Sequence, residues 1–196
     1  MSGREERNIL LVGVGGQGTI LTSKILSQGL VDLGYDVKMS EIHGMAQRGG
    51  SVSTQIKYGR KIYAPNIGPG EADLLVAFEK AEALRWFPWL RKGGILVLDP
   101  REIYPVPVLT GEATYPENVV ESLSAVVENL RVIEAAKVAN ELGSPRSQNM
   151  VLLGALVSLL GLEGAAWKDL VARFVPPKAR DVNLLAFERG AALAMR

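Results

Sequence analysis

Ile9-Leu10-Leu11-Val12-Gly13-Val14-Gly15-Gly16-Gln17-Gly18 is the stretch whose reading decides the fold. An unbroken apolar run ends in glycines, and a helical pattern follows at once. A strand without polar alternation belongs in a parallel sheet covered on both faces. In residues 19–33, Ile20, Leu21, Ile25, Leu26 and Leu30 recur at three- and four-residue spacing, and Gly34 provides the stop. Gly13, Gly15 and Gly18 satisfy G-x-G-x-x-G between strand and helix. The first permits a tight turn, the second lets an anionic group approach the backbone, and the third lets the helix pack closely on the strand. Free N–H groups at the helix start attract a phosphate or carboxylate. Three readings stay open for this loop: a turn without ligand, an anion site, or a dinucleotide site. For the last, Glu41 stands near the end of the second strand, about where a ribose-binding acid would.

Working outward, short strands are expected at residues 36–39, 51–56, 73–78, 95–98 and 130–133. Helices are expected at 79–90, 116–127, 137–142, 148–160, 167–174 and 182–195. Gly59-Arg60 reads as a turn into Lys61-Ile62-Tyr63, a hairpin grafted on the sheet. Pro105, Pro107 and Pro116 argue for an extended segment. Alternating strands and helices predict an α/β fold: a Rossmann-like, doubly wound, mostly parallel sheet with a β-hairpin insertion and a helical C-terminal third. Residues 1–196 read as a single domain.

Composition narrows the function. Hydrophobic residues make up 47% of the 196 and charged residues 22%, enough for a sizeable core. Net charge is +1 with no basic block, so nucleic acid is not the expected partner. There is no Cys, which removes disulfides, thiolate catalysis and Cys-ligated iron–sulfur clusters from this chain. One His does not make a metal site, and none is expected. The polar start, residues 1–7, has no apolar segment of the signal-peptide kind. The apolar run at 150–162 is shorter than the roughly 20 residues of a membrane span. No membrane association is expected, and the expected location is cytoplasmic. That run is apolar around most of its circumference, which suits a central helix or an oligomer contact.

A second loop, Glu41-Ile42-His43-Gly44-Met45-Ala46-Gln47-Arg48-Gly49-Gly50, gathers the only His with an Arg, a Gln and three Gly. Arg48 offers a planar fork for a carboxylate or phosphate. His43 can donate, accept or titrate near neutral pH. The glycines let backbone approach a ligand or partner. A capped surface loop is the alternative, but binding residues concentrate on loops. His43 and Arg48 are the candidate catalytic residues. Asp99, after a strand, either caps the next segment or lines the same sheet edge. Trp86, Phe87 and Trp89 crowd one helix end, so one or more should face solvent or a partner.

Together, residues 12–18 and 41–50 resemble the gamma subunit or domain of the 2-oxoacid:ferredoxin oxidoreductases, those acting on pyruvate, ketoisovalerate or indolepyruvate, and the indolepyruvate branch above all. Asn149-Met150-Val151-Leu152-Leu153-Gly154-Ala155 fits the same pattern. The resemblance covers nearly the whole chain. It implies a non-redox subunit of an enzyme that decarboxylates a 2-oxoacid oxidatively, giving an acyl-CoA, carbon dioxide and reduced ferredoxin. Thiamine diphosphate, Mg and 4Fe-4S clusters would sit on a large catalytic partner, with coenzyme A as co-substrate and ferredoxin reached through the complex. The absence of Cys and of a Gly-Asp-Gly stretch agrees, and no cofactor is expected on this chain. The residues expected to form the cofactor-binding site are Gly13, Gly15, Gly16, Gln17, Gly18, Glu41, Gln47, Arg48 and Gly49; of these, residues 15–18 and Arg48 would meet an anionic group of coenzyme A or the 2-oxoacid, with His43 and Gln47 orienting it. Two alternatives remain at this point: a free-standing NAD(P)- or nucleotide-binding enzyme, and a purely structural assembly subunit.

Overall fold

The computed structural model describes residues 6–43, 49–162 and 165–194, without the side chain of His43. Six strands form one sheet: β1 (Glu6–Val14), β2 (Asp36–His43), β3 (Ser51–Gly59), β4 (Ala72–Ala77), β5 (Leu90–Leu98) and β6 (Asn129–Val132). Their order across the sheet is β2-β3-β1-β4-β5-β6. β1, β4, β5 and β6 run parallel, and β3 lies antiparallel to both β1 and β2. The mostly parallel Rossmann-like sheet expected from sequence is therefore present.

Strand periodicity sorts the core into two layers. Ile9, Leu11, Leu74, Val76 and Val97 face one side, and Leu10, Val12, Leu75, Leu96 and Leu98 face the other. The first side is covered by α1 (Thr19–Asp32), α5 (Ala135–Glu141), α6 (Gln148–Leu160), α7 (Trp167–Phe174) and α8 (Arg180–Ala194). The second is covered by α2 (Lys80–Trp86) and α4 (Val119–Ser124). One-turn α3 (Val106–Leu109) lies between β5 and α4. No helix among the described residues is long and apolar enough to cross a membrane.

Three local expectations need correction. The hairpin arms are β2 and β3, not β3 and Lys61-Ile62-Tyr63. β3 uses both its edges, one for β1 and one for β2, so no edge is left for a third partner. Residues 61–63 stay irregular, pinned by the Ile62 N–H to Asp36 Oδ2 at 2.8 Å. Pro105 and Pro107 do not keep their segment extended. They stand at the N-cap and in the first turn of α3, where a missing N–H costs nothing. The helix expected over 79–90 stops at Trp86, and a 3-10 turn containing Pro88 leads into β5. There Trp86 and Trp89 contact at 4.7 Å between ring centroids, and with Phe87 they pack partly buried on the second layer.

The helical third is organised by α6. Every residue from Gln148 to Val157 is buried, so the apolar run is the central helix of its layer. It lies along α8 and also meets α1 and α5.

Candidate functional site

The parallel ladder sets the ends of β1, β4 and β5 side by side. Past the last residue of β4, the Phe78 N–H donates to Val12 O at 2.9 Å. Past the last residue of β5, the Asp99 N–H donates to Ala77 O at 2.9 Å. Open parallel sheets bind ligands outside these carboxyl ends. The glycine loop leaves β1 here. Its turn is closed by the Gln17 N–H to Val14 O at 3.1 Å, with Gly16 at φ 105 and Gly18 at φ 83. A Cβ on Gly13 would sit 2.8 Å from Gln17 Oε1, and one on Gly18 would sit 2.6 Å from Asn149 Nδ2. Both glycines are therefore required by close approach. Gly18 is the N-cap of α1 and supplies no side-chain cap. The first N–H groups of that helix are thus left to other acceptors.

The two glycine loops meet. Gly15 N–H donates to Gly50 O at 2.8 Å, and Gly49 N–H returns a bond to Gly15 O at 3.3 Å. The exit of the second loop is tied to α2 by a hydrogen bond from Ser51 Oγ to Glu82.

Beneath the loops lies a buried polar chain. Gln17 Oε1 accepts from the Val14 N–H at 2.7 Å, and its Nε2 donates to Phe78 O at 2.7 Å. Gln148 Nε2 donates to the same carbonyl and to Asp99 Oδ2, each at 2.9 Å. Gln148 Oε1 accepts from Arg101 Nη1 at 2.8 Å. Asp99 also accepts from the Arg101 N–H at 3.1 Å and from the Ala136 N–H at 2.7 Å. Asp99 is thus a cap: it closes the turn to Arg101 and caps α5. Burial pushes its carboxyl up to about 6, and the three hydrogen bonds and the Arg101 charge oppose that only in part.

A cleft of about 310 Å³ opens above this chain. It is lined by residues 14–17 and Gly49, together with Arg101, Ile103, Pro145, Arg146 and Gln148. Its volume is at the small end of ligand pockets. Two arginines and the backbone N–H of Gly16, the one such group of the loop's lining residues 14–17 that the loop's own bonds do not use, give it the chemistry to take an anion. Among the described residues, no aromatic side chain lines it.

Of the residues singled out from sequence, Gly15, Gly16, Gln17 and Gly49 line the cleft, and Gly13 and Gly18 shape its loop. The Gln17 side chain is spent internally on Val14 and Phe78. Glu41 is not where a ribose-binding acid belongs. It lies on β2, and β3 occupies the place beside β1 that such an acid's strand takes in a dinucleotide fold. Two strand spacings, about 10 Å, separate β2 from β1. Glu41 Oε1 is buried and has no hydrogen-bond partner among the described residues. His43 closes β2 opposite Val52. Gln47 and Arg48 lie outside the described residues. Sequence reading missed Arg101, Arg146 and Gln148. The available signals were the position of Arg101 two residues past a strand-ending Asp, and the polar pair Gln148-Asn149 heading an apolar helix.

A doubly wound sheet with an arginine-lined cleft at its carboxyl edge defines a class by shape, and comparison with known proteins narrows it. The family described as "Pyruvate ferredoxin/flavodoxin oxidoreductase" matches residues 8–193. The indolepyruvate oxidoreductase subunit IorB of Pyrococcus horikoshii is 39% identical over 193 residues, which is 95% of either chain. The gamma subunit of a keto/oxoacid ferredoxin oxidoreductase from Geobacter sulfurreducens superposes with a TM-score of 0.71 at 23% identity, covering 96% of this chain and 98% of that one. A chain of the 2-oxoglutarate:ferredoxin oxidoreductase of Magnetococcus marinus, solved with 2-oxoglutarate, coenzyme A and succinyl-CoA bound, superposes at 0.78 with 23% identity, covering 98% of this chain and 32% of that one. This chain belongs to the pyruvate ferredoxin/flavodoxin oxidoreductase family, as a subunit of the 2-oxoacid:ferredoxin oxidoreductase kind.

Proposed function

We propose that this chain is the non-redox subunit of a 2-oxoacid:ferredoxin oxidoreductase acting on an aryl pyruvate such as indolepyruvate. Its cleft takes an anionic group of coenzyme A or of the 2-oxoacid. The observation that carries this reading is the convergence of the glycine loop, Arg101 and Arg146 on one cleft. The indolepyruvate assignment draws on the IorB relative at 39% identity. In the reaction the carbon–carbon bond to the carboxylate breaks and carbon dioxide leaves. The acyl group passes to the coenzyme A thiol, and the released electrons pass to ferredoxin. Thiamine diphosphate and iron–sulfur chemistry belong on a large catalytic partner: with no Cys, this chain offers no thiolate ligand for a cluster.

What these residues do is bind and orient. The backbone N–H groups of Gly16 and Gly18 and the forks of Arg101 and Arg146 neutralise an anion without proton transfer. Arg48 adds a further contact, with His43 and Gln47 orienting it. The cleft is too small for a whole coenzyme A, so the rest of the ligand lies against the partner. The dinucleotide alternative is not favoured, because β3 separates Glu41 from the glycine loop's strand.

The test is steady-state kinetics of the reconstituted complex carrying Arg48→Ala or Arg146→Ala. A rise of roughly tenfold in KM for coenzyme A or the 2-oxoacid is expected, the size of one lost charge-assisted hydrogen bond. Unchanged KM and turnover in both variants would leave the chain a purely structural assembly subunit.

A further inference from the structure

We propose that Gln148 is a positioning residue whose buried amide holds the Arg101 guanidinium and the glycine loop in one arrangement. The proposal rests on the reading of the cleft as an anion site.

Gln148 is the first residue of α6 and is 2% exposed. Its surroundings dictate its orientation. Phe78 O can only accept, and so can the Asp99 carboxylate, so the amide NH2 must face them. Arg101 can only donate, so the amide oxygen must face it. The second lone pair of that oxygen receives Gln17 Nε2 at 3.4 Å. Both donors and both acceptor sites are then in use. A fully satisfied buried amide specifies geometry, whereas a partly satisfied one is a liability.

Two of these bonds lead to the cleft. Gln17 grips the last turn of β1 through the Val14 N–H, so the start of the glycine loop is indexed to the amide. Arg101 is an exposed residue with a long side chain, and its guanidinium makes one hydrogen bond with Gln148 among the described residues. A guanidinium has five N–H donors, so most stay available to an anion while the fork is held still. Without the amide, the side chain must be immobilised when ligand binds, and affinity falls. A residue needed only to pack α6 could be apolar, as those following it are.

The experiment uses the reconstituted complex with Gln148→Met, Arg101→Ala and the double variant. Thermal midpoint, kcat, and KM for coenzyme A and for the 2-oxoacid are measured. Gln148→Met is expected to raise KM for one anionic substrate on the order of tenfold with kcat little changed. Added to Arg101→Ala, it is expected to raise KM by much less than it does alone, because only its hold on the glycine loop is then left to lose. The proposal is overturned if Gln148→Met lowers only the thermal midpoint, or if the two effects multiply in the double variant. If Arg101→Ala and Arg146→Ala also leave every KM unchanged, the anion-site reading itself fails. Gln148→Asn keeps a polar amide but withdraws it by one methylene, and serves if Gln148→Met does not assemble. Its KM should rise in the same direction, and an assembled Gln148→Asn complex with unchanged KM overturns the proposal.

Discussion

Gly154 of α6 and Gly190 of α8 mark the line where the two helices touch backbone to backbone. A Cβ on Gly154 would lie 1.9 Å from Phe187 O, and one on Gly190 would lie 1.8 Å from Val151 O. Neither obstacle is a side chain that could swing aside. Since α6 also carries Gln148 at its head, this packing fixes the floor of the cleft. Gly154→Ala or Gly190→Ala should force the helices apart and cost about 3 kcal/mol. For a chain of this size that is roughly 10 °C in thermal midpoint. Gly161→Ala is the control: its φ is +59 but nothing lies within 4 Å of the added carbon, so only about 1 kcal/mol of backbone strain is expected.

Gly18→Ala combines both penalties. The backbone there has φ +83, and the new methyl would press on the Asn149 amide. Asn149 Nδ2 lies 3.4 Å from Gly18 O, so the methyl should tilt the first turn of α1. The expected outcome is a stability loss of about 2 kcal/mol together with weaker substrate binding by the complex. Thermal denaturation and KM, measured on one preparation, check it. A normal KM in a destabilised protein would separate the loop from the ligand.

Asp99 gives a pH signature. Its carboxyl is raised from an ordinary 3.8 to about 6 by burial, so the folded protein holds its proton more tightly than the unfolded chain does. The stability tied to this residue is therefore full below about pH 4 and is lost as pH rises through 6. Between pH 7 and 5 the wild type should gain thermal stability relative to Asp99→Asn, which has no carboxyl to titrate there. A wild-type-minus-variant difference independent of pH would show that Asp99 does not titrate in this range.

The parts of the fold legible in the sequence are those written locally. The run Ile9 to Val12 with its glycines gave β1, its loop and α1, because backbone demands at Gly13 and Gly18 are met within a few residues. The apolar circumference of α6 announced a central helix. The β2-β3-β1 order was not legible. Lys61-Ile62-Tyr63 has the composition of a strand, but the strand expected to pair with it, β3, is taken on both edges by distant strands. The same order moved Glu41 away from the glycine loop. Arg101 and Arg146 were equally silent. Each is one exposed arginine among 22 basic residues, and they come to one cleft only where β5 and α6 converge. Asp99 was visible as a strand-ending acid, and its capping of α5, Ala136 N–H included, came from tertiary packing.

The most direct measurement is equilibrium titration of the assembled complex with coenzyme A and, separately, with the 2-oxoacid, for the wild type and for Arg146→Ala. Arg146 is exposed at the cleft and makes no hydrogen bond or ion pair with another described residue, so its removal should leave assembly intact. A rise of about tenfold in Kd for one of the two ligands is the expected result. Identical Kd values for both ligands, in an intact complex, would contradict an anion-binding role for this cleft.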